Sequence, residues 1–179
     1  MSGHSKWSQI KHKKAATDTK KGQLFSKLVK EITVAAKTGG VNPDNNSRLY
    51  SAIERGKSMG LPKENIERAL ERASGKGEGV DLQEFIYEVL GAGGVFVVVV
   101  GITDNKNRTL AEIKKILGES GAKLTNQGSL LWNFERNGQV FKPKTYTEIS
   151  PENKDLLEKL LNSLSEHEDV QEVYTNTHI

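Results

Sequence analysis

The amino-acid sequence predicts an α+β protein, in which an N-terminal basic arm and three-helix domain are followed by a small mixed α/β sheet domain. In the first 75 residues, apolar side chains recur at three- and four-residue spacing, which is typical of amphipathic helices. After residue 80, short runs rich in β-branched residues alternate with helical segments. Three glycines among charged residues at 74–79 indicate a flexible connection, so we predict domains at 1–75 and 80–179.

Three helices are predicted in the first domain. One runs from Lys21 to about Lys37 and ends at the glycine pair that follows, a second begins near Pro43, and a third begins at Pro62 and stops before Gly75. The residues expected to form their shared core are Leu24, Phe25, Leu28, Val29, Ile32, Ala35, Ala36, Leu49, Ala52, Ile53, Ile66, Ala69, Leu70 and Ala73.

The second domain is predicted to start with a β-hairpin. A strand at 84–89 precedes a glycine turn at 91–94 and a β-branched strand at 95–103. The elements expected after it are a helix at 108–119, short strands at 129–135 and 139–141, a helix through 156–164, and a last strand at 170–174.

Composition narrows the class of protein. The 179 residues include no cysteine, which excludes disulfides and thiolate sites and agrees with a reducing cytoplasm. The longest apolar run, at 95–100, is far shorter than the ~20 residues of a membrane-spanning helix. Residues 1–7 lack the apolar core of a secretory signal and are read as mature sequence. We therefore predict a cytoplasmic protein with no membrane partner.

The net charge of +3 is unevenly distributed along the chain. Residues 1–75 contain 15 Lys or Arg against 7 Asp or Glu, whereas residues 76–179 contain 11 against 16. Concentrated positive charge attracts a polyanion and releases its counterions. A nucleic-acid partner is therefore expected, with an ordinary solvated basic surface as the alternative explanation.

The basic arm at 2–21 places lysines and histidines among small polar residues. Lysines neutralise phosphates, and the Trp7 indole can either stack on an unpaired base or anchor the arm on the helical domain. Lys27 and Lys30 of the first helix are expected to extend this surface, with a plain solvated helix face as the alternative. The predicted nucleic-acid-binding residues are His4, Lys6, Trp7, Lys11, His12, Lys13, Lys14, Lys20, Lys21, Lys27 and Lys30.

A second candidate contact lies at 103–109, where a strand gives way to a helix. Asparagine and aspartate are natural helix caps, so a plain turn explains these residues. Backbone amides beside Lys106 and Arg108 can equally hold a phosphate. Both interpretations stay open, and the predicted secondary phosphate contacts are Asn105, Lys106, Asn107 and Arg108.

Signatures of catalysis are missing from the sequence. It has no cysteine nucleophile, no histidine pair at metal-ligand spacing and no GxSxG, and its glycine run at 91–94 lacks the lysine of a phosphate-binding loop. His4 and His12 have no cysteine or carboxylate pair nearby to complete a metal site. We therefore predict a non-enzymatic protein without a metal or cofactor.

Several motifs follow one another along the chain: GHSKW at 3–7, IKHKKAA at 10–16, FSKLVKEITVAA at 25–36, PKENIERA at 62–69, a Gly-Gly turn at 93–94, TDNKNRT at 103–109, and the tail at 156–176. In sequence and order they resemble the YebC/PmpR family, which includes the mitochondrial translational activator of cytochrome c oxidase. The resemblance covers nearly the whole chain.

This resemblance implies a helical N-terminal domain and an α+β domain, in agreement with the elements predicted above. It also implies nucleic-acid binding, either in DNA-binding transcriptional regulation or in action on ribosomes during translation. Family members generally carry a third, ferredoxin-like domain inserted within the second. Here the chain passes directly from Phe141 to Thr145, so we expect that insert to be absent.

Three functions are weighed from the sequence. An RNA- or ribosome-associated translation factor, bound to rRNA, is favoured by the lysine-rich arm with its aromatic residue and by the lack of an evident recognition helix rich in Arg, Asn or Gln. The alternative is a DNA-binding transcriptional regulator that contacts duplex phosphates. The third is a protein-interaction adaptor that docks an acidic partner, which would show no salt-sensitive binding to nucleic acid.

Overall fold

The computed structural model describes residues 18–76 and 80–179, which form two compact units. The first unit contains the described residues up to Glu84 together with Ile102–Asn105, and the second contains Phe85–Gly101 together with Lys106–Ile179. Helices build the first unit, whereas a sheet with two helices builds the second, so the predicted α+β class is confirmed. None of the described helices has the length and apolarity needed to cross a membrane.

Three helices pack together in the first unit: α1 (Asp18–Gly39), α2 (Ser47–Ser58) and α3 (Lys63–Ala73). The apolar spacing predicted their shared core correctly. The buried residues of that core include Leu28, Ile32, Ala35, Ala36, Leu49, Ala52, Ile53, Ile66 and Ala69, and Leu24, Phe25, Val29, Leu70 and Ala73 are partly buried against them.

The start of α2 is fixed by Asn46, which is 7% exposed. Its side-chain oxygen accepts a hydrogen bond from the backbone N–H of Leu49 at 3.0 Å, and its amide nitrogen donates to the carbonyls of Ala35 and Gly40, each at 2.8 Å. Because this asparagine caps the helix, α2 begins later than predicted, and Pro43–Asn45 forms a 3-10 turn before it.

A four-stranded sheet forms the second unit, in the spatial order β3 (Lys123–Leu124), β1 (Gln83–Leu90), β2 (Phe96–Thr103) and β6 (Val170–Thr175). Strand β3 pairs antiparallel with β1, and β6 pairs antiparallel with β2. Helices α4 (Lys106–Glu119) and α5 (Pro151–Glu166) contribute to the core on one face, and a hairpin of β4 (Phe134–Asn137) and β5 (Val140–Pro143) contributes to the core on the other.

Strand β2 is buried on both of its faces. Val97 and Val99 belong to the core beneath the helices, whereas Val98 and Val100 belong to the core beneath the β4–β5 hairpin. Successive side chains of a strand point to opposite faces of the sheet. The unbroken valine run therefore marks a strand that lies between two layers.

The strand predicted at 129–135 is wrong in its first part, because Leu131–Asn133 forms a 3-10 turn and β4 begins only at Phe134. The buried Glu88 carboxylate is the physical reason, since it binds the backbone of this loop. It accepts hydrogen bonds from the backbone N–H groups of Gly128, Leu130 and Leu131. The two-residue strand β3 was not predicted, because it is too short to show an alternating pattern.

Candidate nucleic-acid interface

The predicted arm residues lie largely outside the described part of the chain. These are His4, Lys6, Trp7, Lys11, His12, Lys13 and Lys14, and their role stays a prediction. The other four predicted residues, Lys20, Lys21, Lys27 and Lys30, all lie on α1.

Lys20 and Lys21 are exposed in the first turn of α1. The ammonium of Lys21 lies 5.5 Å from the centre of the Phe25 ring, one turn further on, which is a cation–π distance. Both lysines are exposed, so an external anion can reach their ammonium groups.

Lys27 does not extend the basic surface as predicted, because only 5% of it is exposed. It lies seven residues before the buried Val34, and so on the same side of α1. The buried face of the helix is consequently wider than the apolar stripe, and the aliphatic stem of a lysine can be accommodated there. Lys30 is half-buried.

Two other cations of the helical unit are held by carboxylates. Arg48 donates from Nε to Glu31 at 3.1 Å and from Nη2 to Glu84 at 2.6 Å. Burial of Arg48 opposes its charge, but the hydrogen bonds and attraction of Glu84 and Glu31 outweigh it and raise the pKa of Arg48. Lys37 forms a salt bridge with Asp81, and hydrogen bonds from Lys37 and then Gln83 lower the pKa of that carboxyl.

The predicted secondary phosphate contact falls at the start of α4. Asn105, Lys106 and Asn107 are exposed there. The backbone N–H of Asn105 donates to the Thr103 hydroxyl at 2.9 Å, a local bond that belongs to a strand-to-helix turn. A phosphate-binding role for these three residues stays a prediction.

Arg108, the fourth predicted residue, is bound within the protein. Its Nη2 lies 2.6 Å from Asp169 Oδ2 and 3.9 Å from Glu168, and its Nε lies 3.7 Å from Glu112. Since three carboxylates surround the guanidinium, its charge is balanced by the fold. Arg108 is therefore poorly suited to the phosphate contact expected of it.

The buried carboxylate of Asp169 organises the surrounding residues. It also accepts a hydrogen bond from the Thr109 hydroxyl at 2.7 Å. The backbone N–H of Asp169 donates to Nδ1 of His167 at 3.1 Å, so the proton of a neutral imidazole is assigned to Nε2, which lies 2.9 Å from Glu112. The network joins the first turn of α4 to the turn that precedes β6.

Glu112, His167 and Asp169 each offer a ligand atom, and these atoms all lie within 4.8 Å of one another. Such donors can bind a divalent metal. Here, however, the Arg108 guanidinium supplies the positive charge between Asp169 and Glu112, and both imidazole nitrogens have hydrogen-bond partners. We therefore interpret this cluster as an ion-pair network.

Trp132 and Glu88 were not singled out from the sequence. Trp132 is 62% exposed in the 3-10 turn before β4, and Glu88 is 3% exposed within β1. The available signals were a tryptophan near the basic residues Lys142 and Lys144, and a carboxylate within an otherwise apolar strand. The sequence does not show that the Trp132 ring is held by Ser129 and Phe96, and it does not show the partners of Glu88, which lie about forty residues away.

The fold and its lysine-bearing helix define a class of two-unit α+β proteins, with a three-helix unit followed by a sheet unit. Residues 5–76 match the family model described as the TACO1/YebC protein N-terminal domain, and residues 82–141 and 139–177 match the TACO1/YebC second and third domain. The chain belongs to the TACO1/YebC family, and the resemblance inferred from its motifs is confirmed.

Curated relatives and a solved structure agree with this assignment. A relative from Pseudothermotoga lettingae is 50% identical over 144 residues, which cover 80% of this chain and 57% of the relative. A relative from Chlorobaculum parvum is 47% identical over 97% of this chain and 68% of its own length. Both are called probable transcriptional regulatory proteins. The chain thus spans less than two thirds of the length of several relatives that it matches.

One structural neighbour is a conserved hypothetical protein from Aquifex aeolicus. Its crystal structure superposes with a TM-score of 0.84 at 32% sequence identity, covering 92% of this chain and 93% of that chain.

Proposed function

We propose that this chain is a non-enzymatic, nucleic-acid-binding regulator of gene expression, and that it acts in the cytoplasm on RNA at the ribosome. The observation that carries the proposal is the exposed pair Lys20 and Lys21 at the N-terminal turn of α1. They continue the lysine series of the arm into the folded helical unit. Together these residues make one contiguous basic segment that suits a polyanion.

Ion pairs elsewhere in the helical unit support the placement of the nucleic-acid contact at Lys20 and Lys21. Helix α3 carries ion pairs between Lys63 and Glu67 and between Glu64 and Arg68. Carboxylates along an exposed helix face repel phosphates, so α3 is poorly suited to lie in a duplex groove. This mixed charge favours RNA over a groove-reading mode of DNA recognition.

DNA-binding transcriptional regulation is the second candidate function. It is favoured by the names of the relatives, which are called probable transcriptional regulatory proteins. It requires that one duplex sequence be retained over others at near-physiological salt.

Salt-dependent binding tests the proposed contact. We would measure the anisotropy of labelled single-stranded RNA, hairpin RNA and duplex DNA with the wild-type chain and with a K11A/K13A/K14A variant. Loss of three phosphate contacts should lower the slope of log affinity against log salt by about 2 on single strands and leave the melting temperature nearly unchanged. The matched control is K115A/K154A/K159A, which removes three exposed lysines from the sheet unit. Equal losses in both variants would contradict the assignment to the arm.

Sedimentation tests the ribosomal target. Tagged protein from gently lysed source cells would be run through sucrose gradients at low and high salt, with and without ribonuclease. We expect migration with ribosomal subunits and release by salt. Protein that stays at the top of every gradient would argue against the ribosome, and selection of bound duplex sequences would then test the DNA alternative.

A further inference from the structure

We propose a second nucleic-acid contact on the sheet unit, in which the Trp132 indole stacks on an unpaired base and Lys144 binds a neighbouring phosphate. The inference rests on the proposed function for the class of its partner. It adds a site that is remote in sequence from the basic arm and that was not predicted from the sequence.

The geometry of Trp132 is that of a fixed and exposed aromatic ring. Its Nε1 donates a hydrogen bond to the carbonyl of Ser129 at 2.9 Å, which satisfies the polar edge of the indole. The ring also contacts Phe96 at 5.9 Å between centroids, with 77° between the ring planes. The side chain is therefore held at two points while 62% of the residue remains exposed, and a pre-oriented ring loses little entropy when a base stacks on it.

The buried Asn133 brings a cation next to this ring. Its side chain exchanges hydrogen bonds with the backbone of Thr145, at 3.1 Å from the N–H and 3.0 Å to the carbonyl. The backbone N–H of Lys144 donates to the Asn133 carbonyl at 2.7 Å, and the Lys144 ammonium donates to the Trp132 carbonyl at 2.9 Å. An ammonium has three N–H donors, so this bond leaves two that can reach a phosphate beside a stacked base.

Local charge identifies the occupant as an anion. The segment 129–146 contains Arg136, Lys142 and Lys144 against the single acidic residue Glu135, whereas the rest of 76–179 contains 8 Lys or Arg against 15 Asp or Glu. The exposed tryptophan thus lies in a basic stretch of an otherwise acidic domain. An aromatic ring next to a lysine is an arrangement that binds single-stranded nucleic acid through stacking and a phosphate contact.

Tryptophan fluorescence gives a direct test, because the chain has two tryptophans. In a Trp7→Phe variant, Trp132 is the sole tryptophan. We would titrate this variant at low salt with oligouridine, with oligothymidine and with a DNA duplex, each of the same length. Stacking predicts quenching of the emission by the single strands and little quenching by the duplex. The two single strands distinguish RNA from DNA as the source of the base.

Binding measurements on substituted chains complete the test. Trp132→Ala should weaken single-strand binding roughly tenfold, whereas Trp132→Phe should retain most of the affinity. Lys144→Ala should lower the salt slope by about 0.7, the value of one phosphate contact on a single strand. Tyr50→Ala is the matched control, since Tyr50 is an aromatic residue of the helical unit with 56% exposure. The Tyr50→Ala variant should bind single strands with wild-type affinity.

The outcomes separate this inference from the proposed function. Unchanged Trp132 emission together with wild-type affinity in Trp132→Ala overturns the second contact, even if the arm variant loses binding. If single strands quench the Trp132 emission and the K11A/K13A/K14A variant binds with wild-type affinity, the second contact is supported and the role of the arm is contradicted. Quenching by polyglutamate but not by nucleic acid would assign the surface to an acidic protein, and an absence of binding to any nucleic acid would overturn both proposals.

Discussion

The guanidinium of Arg108 lies 2.6 Å from the carboxylate of Asp169, which is completely buried. Removing one partner of a buried ion pair leaves an uncompensated charge. Because Arg108 is about one third exposed, we expect Arg108→Ala to lower the free energy of unfolding by about 2 kcal/mol, below the range for fully buried pairs. Urea denaturation measures this change.

The same substitution distinguishes a structural role from a phosphate contact. Arg108→Ala should leave nucleic-acid affinity unchanged under conditions in which the protein stays folded. Lys106→Ala is the matched control, since Lys106 is exposed in the same turn and its loss should have little effect on stability. A large loss of affinity in Arg108→Ala without loss of stability would restore the phosphate role.

The lysines in the first turn of α1 should support binding and contribute little to stability. Replacing Lys20 and Lys21 with glutamine removes the Lys21–Phe25 cation–π contact but also removes positive charge from the positive end of the helix dipole, so the free energy of unfolding should change by less than about 0.5 kcal/mol. The affinity for nucleic acid and its salt dependence should both decrease. Thermal denaturation and anisotropy titrations measure the two effects.

Lys37→Gln is the control for that pair. It removes a lysine from the last turn of α1, where the dipole favours a cation and Asp81 forms a salt bridge. Stability should decrease slightly and binding should not change. A loss of affinity in Lys37→Gln as large as that in the Lys20 and Lys21 variant would show that total charge, and not the position of the two lysines, governs binding.

Gly101 marks a close approach within the sheet unit. A Cβ atom there would collide with the Phe85 ring and with the backbone carbonyl of Asp169, and the β2–β6 register shifts between Val100 and Gly101. Gly101→Ala should therefore lower the free energy of unfolding by more than about 3 kcal/mol, because the carbonyl belongs to the backbone and cannot rotate away.

Gly118→Ala is a control for which the opposite change in stability is expected. Gly118 lies in α4, and a Cβ atom added there would meet no neighbouring side chain within 4 Å. Alanine in a helix is favoured over glycine by up to about 1 kcal/mol, so this variant should be more stable than the wild type. Thermal denaturation of both variants checks the pair, and a stable Gly101→Ala protein would contradict the close packing around Gly101.

Ionisation of the Tyr87 hydroxyl should make the free energy of unfolding depend on pH in the alkaline range. Burial, and then the negative charge of Asp169, raise the pKa of the Tyr87 hydroxyl. The unfolded chain therefore loses this proton first, at its ordinary pKa of about 10. The stabilisation that Tyr87 provides is complete below that pH and is lost as the pH rises through the higher folded-state pKa.

Urea denaturation between pH 9 and pH 11 should thus show a steeper decline for the wild type than for Tyr87→Phe. Comparing the two chains cancels the titration of lysines, which they share. Parallel declines would show that Tyr87 does not contribute.

The helices were predicted well because the apolar spacing that indicates a helix lies within the helical segment itself. The positions Leu28, Ile32, Leu49 and Ala69 were all expected in the core, and all are buried. Lys27 was misjudged, because the width of a buried helix face depends on neighbouring elements that are absent from the helix's own pattern.

Buried charge could not be predicted in the same way. Glu88 binds the loop at 128–131, about forty residues away along the chain, and Asp169 binds Arg108 and Thr109, about sixty residues away. A carboxylate in the sequence does not reveal such partners. For the same reason the sequence of the motif at 103–109 did not show that Arg108 is surrounded by carboxylates.

The valine side chains of β2 do little to fix the register of that strand against β6. Because valines face both layers, a slip of one residue relative to β6 would still bury an apolar side chain on each side. Correct pairing must therefore be selected at the ends of the strand. At one end the side-chain oxygen of Asn176 accepts a hydrogen bond from the backbone N–H of Phe96 at 2.7 Å. At the other end the β-bulge leaves no room for a side chain at position 101, so glycine is required there. Substitutions at these two positions would be expected to favour misaligned and aggregation-prone chains, even though neither residue contributes an apolar side chain to the core.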